Sequence, residues 1–196
     1  MASTKLKNIF LSASTPLPER NPQYYGTSDI IAIRDAVIAL ATVVLLEHRL
    51  VWGGHPSITP LIYYVLEKLN INIQDHVILY QSKFFEKYFP EDNDKFQNVI
   101  LTDDLGEREA SLKLMRETMF NSCKFSAGIF IGGMDGVELE YKMFKELHPD
   151  ALLLPIQSTG AAAKIIYDSC FLDKNERFEK DYAYMSLFQK YLMDKI

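Results

Sequence analysis

The sequence has few cysteines, no surplus of positive charge and no long hydrophobic run. Its formal net charge is −5, and no cluster of Lys and Arg is dense enough to follow a phosphate backbone, which argues against nucleic acid as a partner. The two cysteines, Cys123 and Cys170, have neither the spacing of a metal site nor the pattern of a disulfide framework. We therefore expect reduced thiols and no bound metal.

The chain also lacks a segment suited to a membrane. The longest mainly apolar run, Ala36–Leu46, is about half of the roughly 20 residues that a spanning helix requires. The apolar run near the N-terminus is too short for the core of a signal peptide. We therefore predict a cytoplasmic protein with no membrane partner. A length of 196 residues with 48% apolar composition suits a single domain over residues 1–196.

Two common nucleotide-binding motifs are missing as well. Lys164 does not lie where the lysine of a phosphate-binding P-loop would be, and the glycine spacing of that loop is absent. The pair Gly132-Gly133 does not continue into the G-x-G-x-x-G fingerprint of dinucleotide-binding domains. This disfavours redox chemistry with bound NAD, and we predict no cofactor.

The sequence does contain a regular alternation of strand-like and helix-like segments. The predicted strands are Asn8–Ala13, Leu50–Trp52, His76–Tyr80, Asn98–Thr102, Ala127–Ile131 and Ala151–Leu154. The predicted helices run from Ser28 or Asp29 to about Glu47, and over Pro56–Asn70, Glu107–Phe120, Val137–Leu147, Thr159–Asp168 and Tyr182–Met193. The Pro-rich segment Ser14–Ser28 is expected to be an irregular loop, and Phe84–Phe96 a short helix and a loop. This alternation predicts an α/β fold: a Rossmann-like, doubly wound, mostly parallel sheet of about six strands with helices on both faces.

Small and polar residues follow the predicted strands. In a doubly wound sheet, ligands bind beyond the carboxyl ends of the strands, where small residues let a ligand approach the backbone. The residues that we expect to bind a ligand there are Ser12, Ala13, Ser14, Gly53, Gly54, His55, Gln81, Ser82, Gly132, Gly133, Met134, Asp135, Gly136, Ser158, Thr159 and Gly160. Glycine and serine occur in such turns of any α/β domain, and that alternative is stronger for each turn alone than for the set.

Two of these turns suggest particular roles. Ser158-Thr159-Gly160 is typical of a helix start, where a hydroxyl cap and free amides at the positive end of the helix dipole fit a phosphate. His55 follows a glycine pair, and no carboxylate or thiol partner is evident for it. We therefore expect His55 to bond a ligand hydroxyl or to shape the turn, rather than to act as a catalytic base.

Further candidates lie near the Pro-rich loop. Arg34, in the helix after that loop, is expected either to clamp an anion or to pair with Asp29 or Asp35. Tyr24 and Tyr25 lie on the loop itself. They are expected either to stack on a base or to pack against the protein.

Arg116 and Glu140 form a possible charged pair. Arg116 lies in the helix that precedes the strand ending near Gly132, and Glu140 lies in the first part of the helix that follows. We expect them either to flank one pocket, holding a phosphate and polarising a ribose, or to form a surface ion pair or remain separately solvated.

Several of these segments resemble a known family. The pattern Arg116 … Gly132-Gly133-x-x-Gly136-Val137-x-x-Glu140 resembles the LOG superfamily, lysine-decarboxylase-like nucleotide phosphoribohydrolases with a P-G-G-x-G-T-x-x-E motif and an upstream arginine. The wider set is more similar to the SLOG branch of that superfamily. It comprises Phe10-Leu-Ser-Ala-Ser, Val51-Trp-Gly-Gly-His-Pro, Phe130-Ile-Gly-Gly-Met-Asp-Gly-Val-Glu and Leu154-Pro-Ile-Gln-Ser-Thr-Gly.

The resemblance to SLOG domains implies a ligand sensor in a bacterial antiviral or conflict system. Its ligand would be a nucleotide-derived small molecule of the ADP-ribose or cyclic ADP-ribose type. The resemblance assigns Gly132, Gly133 and Gly136 to phosphate or ribose, Glu140 to a ribose hydroxyl and Arg116 to a phosphate. It also implies a homo-oligomer, and a possible separate effector protein that receives the signal.

The resemblance to LOG enzymes implies an alternative function, a nucleotide N-glycosidic-bond hydrolase or transferase with Arg116 and Glu140 as catalytic residues. Ile131 replaces the proline of the motif, one extra residue precedes Gly136, and Val137 replaces the threonine whose hydroxyl helps to hold phosphate. These replacements disfavour hydrolysis more than binding. We expect Gly133→Val to abolish binding with a modest loss of stability, since it would fill space meant for the ligand.

Overall fold

The computed structural model of the chain describes residues 6–69, 74–170 and 174–196. Asn70, the predicted end of the second long helix, and the side chain of Cys170 lie outside the described part. The described residues form an α/β structure around a six-stranded sheet in which every strand pair is parallel. This confirms the predicted doubly wound, Rossmann-like architecture.

The strands lie in the spatial order β4-β3-β2-β1-β5-β6. Their bounds are β1 Asn8–Ser14, β2 Arg49–Trp52, β3 Val77–Ser82, β4 Val99–Thr102, β5 Phe125–Gly132 and β6 Leu152–Ile156. In β1, the side chains of Ile9 and Leu11 enter one hydrophobic core and that of Phe10 enters the other, and all three are at most 1% exposed. The run Ile9-Phe10-Leu11 is apolar at every position because both faces of a parallel sheet are covered.

The helices in the described ranges are α1 Pro22–Tyr25, α2 Ile30–Val44, α3 Thr59–Leu69, α4 Arg108–Phe120, α5 Asp135–Leu147, α6 Ala161–Cys170, α7 Glu176–Lys180 and α8 Tyr184–Phe188, and α8 continues into a π-helix over Gln189–Met193. α2, α3 and α8 cover one face of the sheet, and α4, α5 and α6 cover the other. None of the helices in these ranges has the length and apolar composition that crossing a membrane requires.

The loop predicted over Ser14–Ser28 contains one helical turn, so that prediction is wrong for α1. Pro22 occupies the first helical position, where its fixed φ is favourable and its missing amide hydrogen costs nothing. The Asn21 side chain accepts a hydrogen bond from the Gln23 amide and caps the turn.

The ends of the longer helices also differ from the predictions. α2 begins after Asp29, whose carboxylate accepts the Ala32 amide hydrogen at 2.9 Å, but it ends at Val44 rather than near Glu47. Three-residue differences occur at the start of α3 as well, because residues 56–58 form a turn. The predicted helix Tyr182–Met193 is divided between α8 and the π-helix, and α7 has no counterpart among the predicted helices.

Short 3-10 helices occur over Gln74–His76, Lys83–Tyr88, Glu91–Lys95 and Gln157–Thr159. Two of them, Lys83–Tyr88 and Glu91–Lys95, make up most of the connection between β3 and β4. Because the 3-10 helix Gln157–Thr159 precedes it, α6 begins at Ala161, two residues after the predicted start.

The strand order creates a crevice between β1 and β5. The chain adds β2, β3 and β4 on one side of β1 and then crosses to the other side for β5 and β6. Such a topological switch point separates the loops that leave the two neighbouring strands, and α/β proteins bind ligands there. Ser14 pairs with Gly132 at this edge, and its carbonyl accepts the Gly133 amide hydrogen at 2.8 Å.

Candidate functional site

A cavity of about 570 Å³ opens at the carboxyl edge of the sheet. Its volume lies in the range of small-molecule sites, roughly 300 to 1,000 Å³. The ends of β1, β2 and β3 and the residues that follow the Gly132-Gly133 turn meet in its wall, together with side chains from α4 and α5. The predicted site residues that line it are Ser12, Ala13, Ser14, Gly53, Gly54, His55, Gln81, Ser82, Arg116, Met134, Asp135, Gly136 and Glu140.

The other predicted site residues do not line this cavity. Arg34 forms an ion pair of 2.8 Å with Asp35, and both side chains are about half exposed. This is the second of the two alternatives considered for Arg34. The remaining five residues, Gly132, Gly133, Ser158, Thr159 and Gly160, belong to the turns after β5 and β6 and are engaged in packing.

The turn between β6 and α6 is filled by the protein itself. The Thr159 hydroxyl donates to the Ile156 carbonyl at 2.6 Å and accepts the Gly132 amide hydrogen at 2.8 Å. Ser158 shares a hydrogen bond of 3.0 Å with the Tyr184 hydroxyl. These side chains join β5, β6 and α8, which gives both polar residues a structural role.

The first amides of α6 are occupied as well. Ala161 donates to the Thr27 hydroxyl at 3.1 Å, and Ala162 donates to the Gly133 carbonyl at 3.3 Å. The Gly160 amide donates to the Gln157 carbonyl at 2.8 Å. The phosphate expected at this helix start therefore has no free amide among residues 160–162.

The glycine pair after β5 shapes a turn. Gly132 and Gly133 have φ values of 55° and 88°, in the left-handed region that favours glycine. A Cβ on Gly133 would lie 2.2 Å from Cγ2 of Val137, and one on Gly132 would lie 2.4 Å from Cδ1 of Ile33. The expected modest stability loss of Gly133→Val is therefore revised to a large one, and this substitution does not isolate binding from folding.

A buried charged network lies in the cavity wall at the β1–β5 crevice. Arg116 Nε donates to Glu140 Oε1 at 3.0 Å, and the Ser12 hydroxyl donates to Glu140 Oε2 at 2.5 Å. The side chains of Arg116 and Glu140 are 6% and 14% exposed. Of the alternatives for this pair, the structure shows a buried ion pair that also faces the cavity. With both carboxylate oxygens bonded, Glu140 has a fixed orientation.

Arg116 keeps free donors on the cavity side. A guanidinium has five N–H groups, and neither Nη atom of Arg116 donates to a described residue. A Cβ on Gly136 would lie only 3.2 Å from Arg116 Nη2, so the missing side chain lets the guanidinium approach the start of α5. The amides of Asp135 and Gly136 also donate to no described residue, as expected at a helix N-terminus. An anionic group fits this combination of donors.

The cavity lining carries more positive than negative side chains, although the chain is acidic. Arg20, Arg108 and Arg116 line it, against the carboxylates of Asp135 and Glu140. Arg20 is exposed and makes no ion pair or side-chain hydrogen bond with any residue in the described ranges. Arg108 is ion-paired with Glu109 and Arg116 with Glu140, so among the described lining residues Arg20 is the unpaired cation that favours an anionic ligand in the cavity.

His55 has a structural role in the turn after β2. Its Nδ1 accepts the Ser57 amide hydrogen at 3.2 Å and contacts the Ser57 hydroxyl at 2.8 Å, which assigns the proton to Nε2. Burial, and to a smaller extent the charge of Arg20, lowers the pKa of His55 to about 4. The imidazole is therefore neutral near pH 7 and has a single N–H to offer.

The tyrosines of the Pro-rich segment lie away from the cavity lining. Tyr24 is buried, and its hydroxyl donates to Glu138 Oε1 at 2.7 Å. Burial and the neighbouring Glu138 carboxylate raise the pKa of Tyr24. Tyr24 thus packs against the protein, and Tyr25 is 43% exposed.

Sequence reasoning missed several lining residues, namely Leu17, Arg20, Phe85, Tyr88, Phe89, Arg108, Leu112 and Met115. The aromatic residues after β3 and Arg108 had a recognisable signal in the sequence. The aromatic cluster directly after β3 occupies the same kind of turn as the predicted residues, and Arg108 begins a helix that follows a strand. Among the described residues, no cluster of His, Cys, Asp and Glu is arranged to hold a metal ion.

A parallel, doubly wound sheet with a cavity of this size at its switch point defines the Rossmann-like architecture in which α/β proteins hold small ligands. Within that class, the chain belongs to the SLOG cluster3 family, whose family model matches residues 23–192. This confirms the family predicted from the motifs. Membership of a SLOG family is consistent with a nucleotide-related role. A comparison with curated proteins found no match.

Proposed function

We propose that the protein binds a nucleotide-derived small molecule of the ADP-ribose or cyclic ADP-ribose type and acts as its sensor in a bacterial antiviral or conflict system. The observation that carries this proposal is the buried Arg116–Glu140–Ser12 network, which lies in the wall of a ligand-sized cavity. Family membership supports the nucleotide class.

In this proposal, the crevice end of the cavity binds a phosphate. Arg116 Nη2 lies beside the start of α5, where the amides of Asp135 and Gly136 have no partner among the described residues, and all of these donors are positive or partly positive. Glu140 lies beside them and accepts a hydrogen bond from a ribose hydroxyl. Arg116 and Ser12 already orient this carboxylate, so ligand binding requires little reorganisation of the side chain.

The direct test is titration calorimetry with ADP-ribose, the cyclic ADP-ribose isomers and AMP. Trp52, the only tryptophan of the chain, lines the cavity, so its fluorescence provides a second readout. We expect heat release and a change in Trp52 emission with at least one of these nucleotides. No heat and no spectral change with any of them would reject the proposal.

A substitution at Gly136 locates the phosphate. The Cβ of Gly136→Ala would enter the space beside Arg116 Nη2 without requiring a left-handed backbone. Losing one charge-assisted hydrogen bond weakens binding about tenfold. Arg34→Ala, on an exposed side chain outside the cavity, is the matched control and should leave binding unchanged. Unchanged affinity in Gly136→Ala would remove the phosphate from this position.

The alternative function is hydrolysis of a nucleotide N-glycosidic bond, and the same Arg116–Glu140 pair favours it. Arg116 would bind the phosphate while the oriented carboxylate of Glu140 stabilises positive charge developing on the ribose. Base release from AMP and related nucleotides, measured by chromatography and abolished in Glu140→Gln, would support it. Intact nucleotides after prolonged incubation would leave binding as the function.

A sensor has to report to another molecule. We propose that it does so through a homo-oligomer or a separate effector protein. Native mass spectrometry of the purified protein measures the subunit count and the mass of any co-purified ligand together. A ligand mass that matches no nucleotide derivative would contradict the proposed ligand class.

A further inference from the structure

The β3 end of the cavity is lined by aromatic side chains that belong to neither hydrophobic core. Phe85, Tyr88 and Phe89 line it from the 3-10 helix Lys83–Tyr88 and the residue that follows. Tyr88 is 72% exposed. Large aromatic side chains gain most from burial, so three of them gathered at a cavity mouth indicate that a flat apolar group covers them.

A polar group beside these rings has an unused donor. Gln81, at the end of β3, is 5% exposed and lines the cavity. Its Oε1 accepts a hydrogen bond from Asn93 Nδ2, whereas its Nε2 donates to no residue in the described part of the chain. Because Gln81 lines the cavity, the two N–H groups of its Nε2 can donate to an acceptor on a ligand bound there.

The Gln81 amide lies between two neighbours, Asn93 and Gly54. Asn93, itself only 6% exposed, lies in the 3-10 helix Glu91–Lys95, where its backbone amide donates to the Pro90 carbonyl at 3.0 Å. Its side-chain Oδ1 has no partner among the described residues. On the other side, a Cβ on Gly54 would lie 2.6 Å from Gln81 Nε2. Gly54 therefore leaves room for the amide, and Asn93 acts as a positioning residue for it.

We infer that the β3 end of the cavity is a nucleobase subsite, in which the base stacks on Tyr88 and Phe85 and accepts a hydrogen bond from Gln81 Nε2. The inference rests on the proposed function and assigns an orientation to its ligand. A nucleobase is the group that combines flat π-faces with edge acceptors. An aliphatic group would cover the rings but leave the Gln81 donor unsatisfied.

The distance between the two ends of the cavity suits this orientation. β3 lies two strands away from β1, which at about 4.8 Å per strand spacing places them roughly 10 Å apart. A base at β3 and a phosphate at the β1–β5 crevice leave the ribose between them, near Ser12 and Glu140. Exposed Arg20 then lies near the cavity mouth, where it can meet a second phosphate of the ligand.

The test compares ADP-ribose with ribose 5-phosphate by titration calorimetry on the whole chain. Ribose 5-phosphate has the sugar and the phosphate but no base. We expect ADP-ribose to bind at least about tenfold more tightly to the unmodified protein. Tyr88→Ala should lose about tenfold in affinity for ADP-ribose and should leave ribose 5-phosphate binding unchanged.

Two controls separate stacking from other effects. Tyr88→Phe keeps the ring and should retain the unmodified affinity, and Tyr64→Ala removes a tyrosine that is 48% exposed on α3, outside the cavity lining. Gln81→Glu keeps an acceptor for Asn93 but replaces the free donor by an acceptor, so we expect it to weaken ADP-ribose binding more than tenfold. A thermal melt of each variant checks that it folds.

The outcomes distinguish this inference from the proposed function. Equal affinity for ribose 5-phosphate and ADP-ribose, or a Tyr88→Ala variant that binds ADP-ribose as well as the unmodified protein, would overturn the nucleobase subsite and keep the sugar-phosphate site. Binding of neither compound, with AMP and the cyclic ADP-ribose isomers also unbound, would overturn both.

Discussion

At the scale of single residues, glycines with similar positive φ values are needed for different reasons. Gly160 and Gly106 have φ values of 71° and 80°. A Cβ on Gly160 would lie 1.8 Å from the Thr27 carbonyl oxygen, whereas a Cβ on Gly106 would meet nothing within 4 Å. A glycine is thus needed at position 160 because two backbone segments approach closely there. At position 106 it is needed only because φ is positive.

This difference predicts unequal costs for the same substitution. Gly106→Ala should lower the free energy of unfolding by about 1 kcal/mol, the usual cost of a left-handed L-residue. Gly160→Ala adds a backbone clash and should cost about 3 kcal/mol or more in total. Urea unfolding followed by circular dichroism measures both values. Equal losses would show that the contact between Gly160 and Thr27 is absent in solution.

His55 makes stability depend on pH. Its pKa is lowered from 6.5 to about 4 in the folded protein, so the unfolded chain binds a proton there at a higher pH than the folded chain does. Stability is therefore lost as the pH falls from about 6.5 to about 4, by on the order of 3 kcal/mol. His55→Asn removes this titration and keeps an acceptor for the Ser57 amide.

The pH series on the two proteins isolates the histidine. His48 and His148 also have lowered pKa values, but their contributions cancel between the variant and the unmodified protein. We expect His55→Asn to lose less stability than the unmodified protein between pH 6.5 and pH 4. Parallel stability curves over that interval would exclude a buried neutral His55.

At the scale of elements, Arg116 and Glu140 join α4 to α5, and Ser12 ties both helices to the central strand β1. Both charges are largely removed from water, so each depends on the other. Breaking such a pair leaves one uncompensated buried charge and usually costs about 3–5 kcal/mol, whereas replacing both partners by apolar groups is much less costly.

A double-mutant cycle tests this link between the helices. Arg116→Met should lower the free energy of unfolding by about 3 kcal/mol or more, and adding Glu140→Leu should restore a large part of the loss. Urea unfolding of the two single variants and the double variant gives the coupling energy. Additive losses would mean that the two side chains do not interact in solution.

At the scale of the whole molecule, the fold could be predicted because its signals are local. Every strand bound lies within two residues of its prediction, since each strand is a short apolar run between polar or glycine-rich turns. The single turn α1 was missed because the prolines around it suggest a loop, although proline suits the first position of a helix. α7 is too short to show a period.

The site was predictable only where it depends on the ends of strands. The turns after β1, β2, β3 and β5 line the cavity, as their small residues suggested. The turn after β6 has the same composition but is occupied by Thr27, 134 residues earlier in the chain, and no sequence pattern records that contact. Tyr88 and Arg20 lie on connections whose paths depend on tertiary packing.

The central position of β1 has a consequence for the chain while it is synthesised on the ribosome. β2 is synthesised soon after β1 and can pair with it early. The other neighbour of β1, β5, begins at Phe125, which pairs with Asn8 and lies 117 residues further along the chain. At about 5–20 residues per second, the nascent chain carries β1 for several seconds before β5 emerges. During that time one edge of an apolar strand is open to wrong partners. The speed of translation between β1 and β5 therefore sets how long this edge stays unpaired.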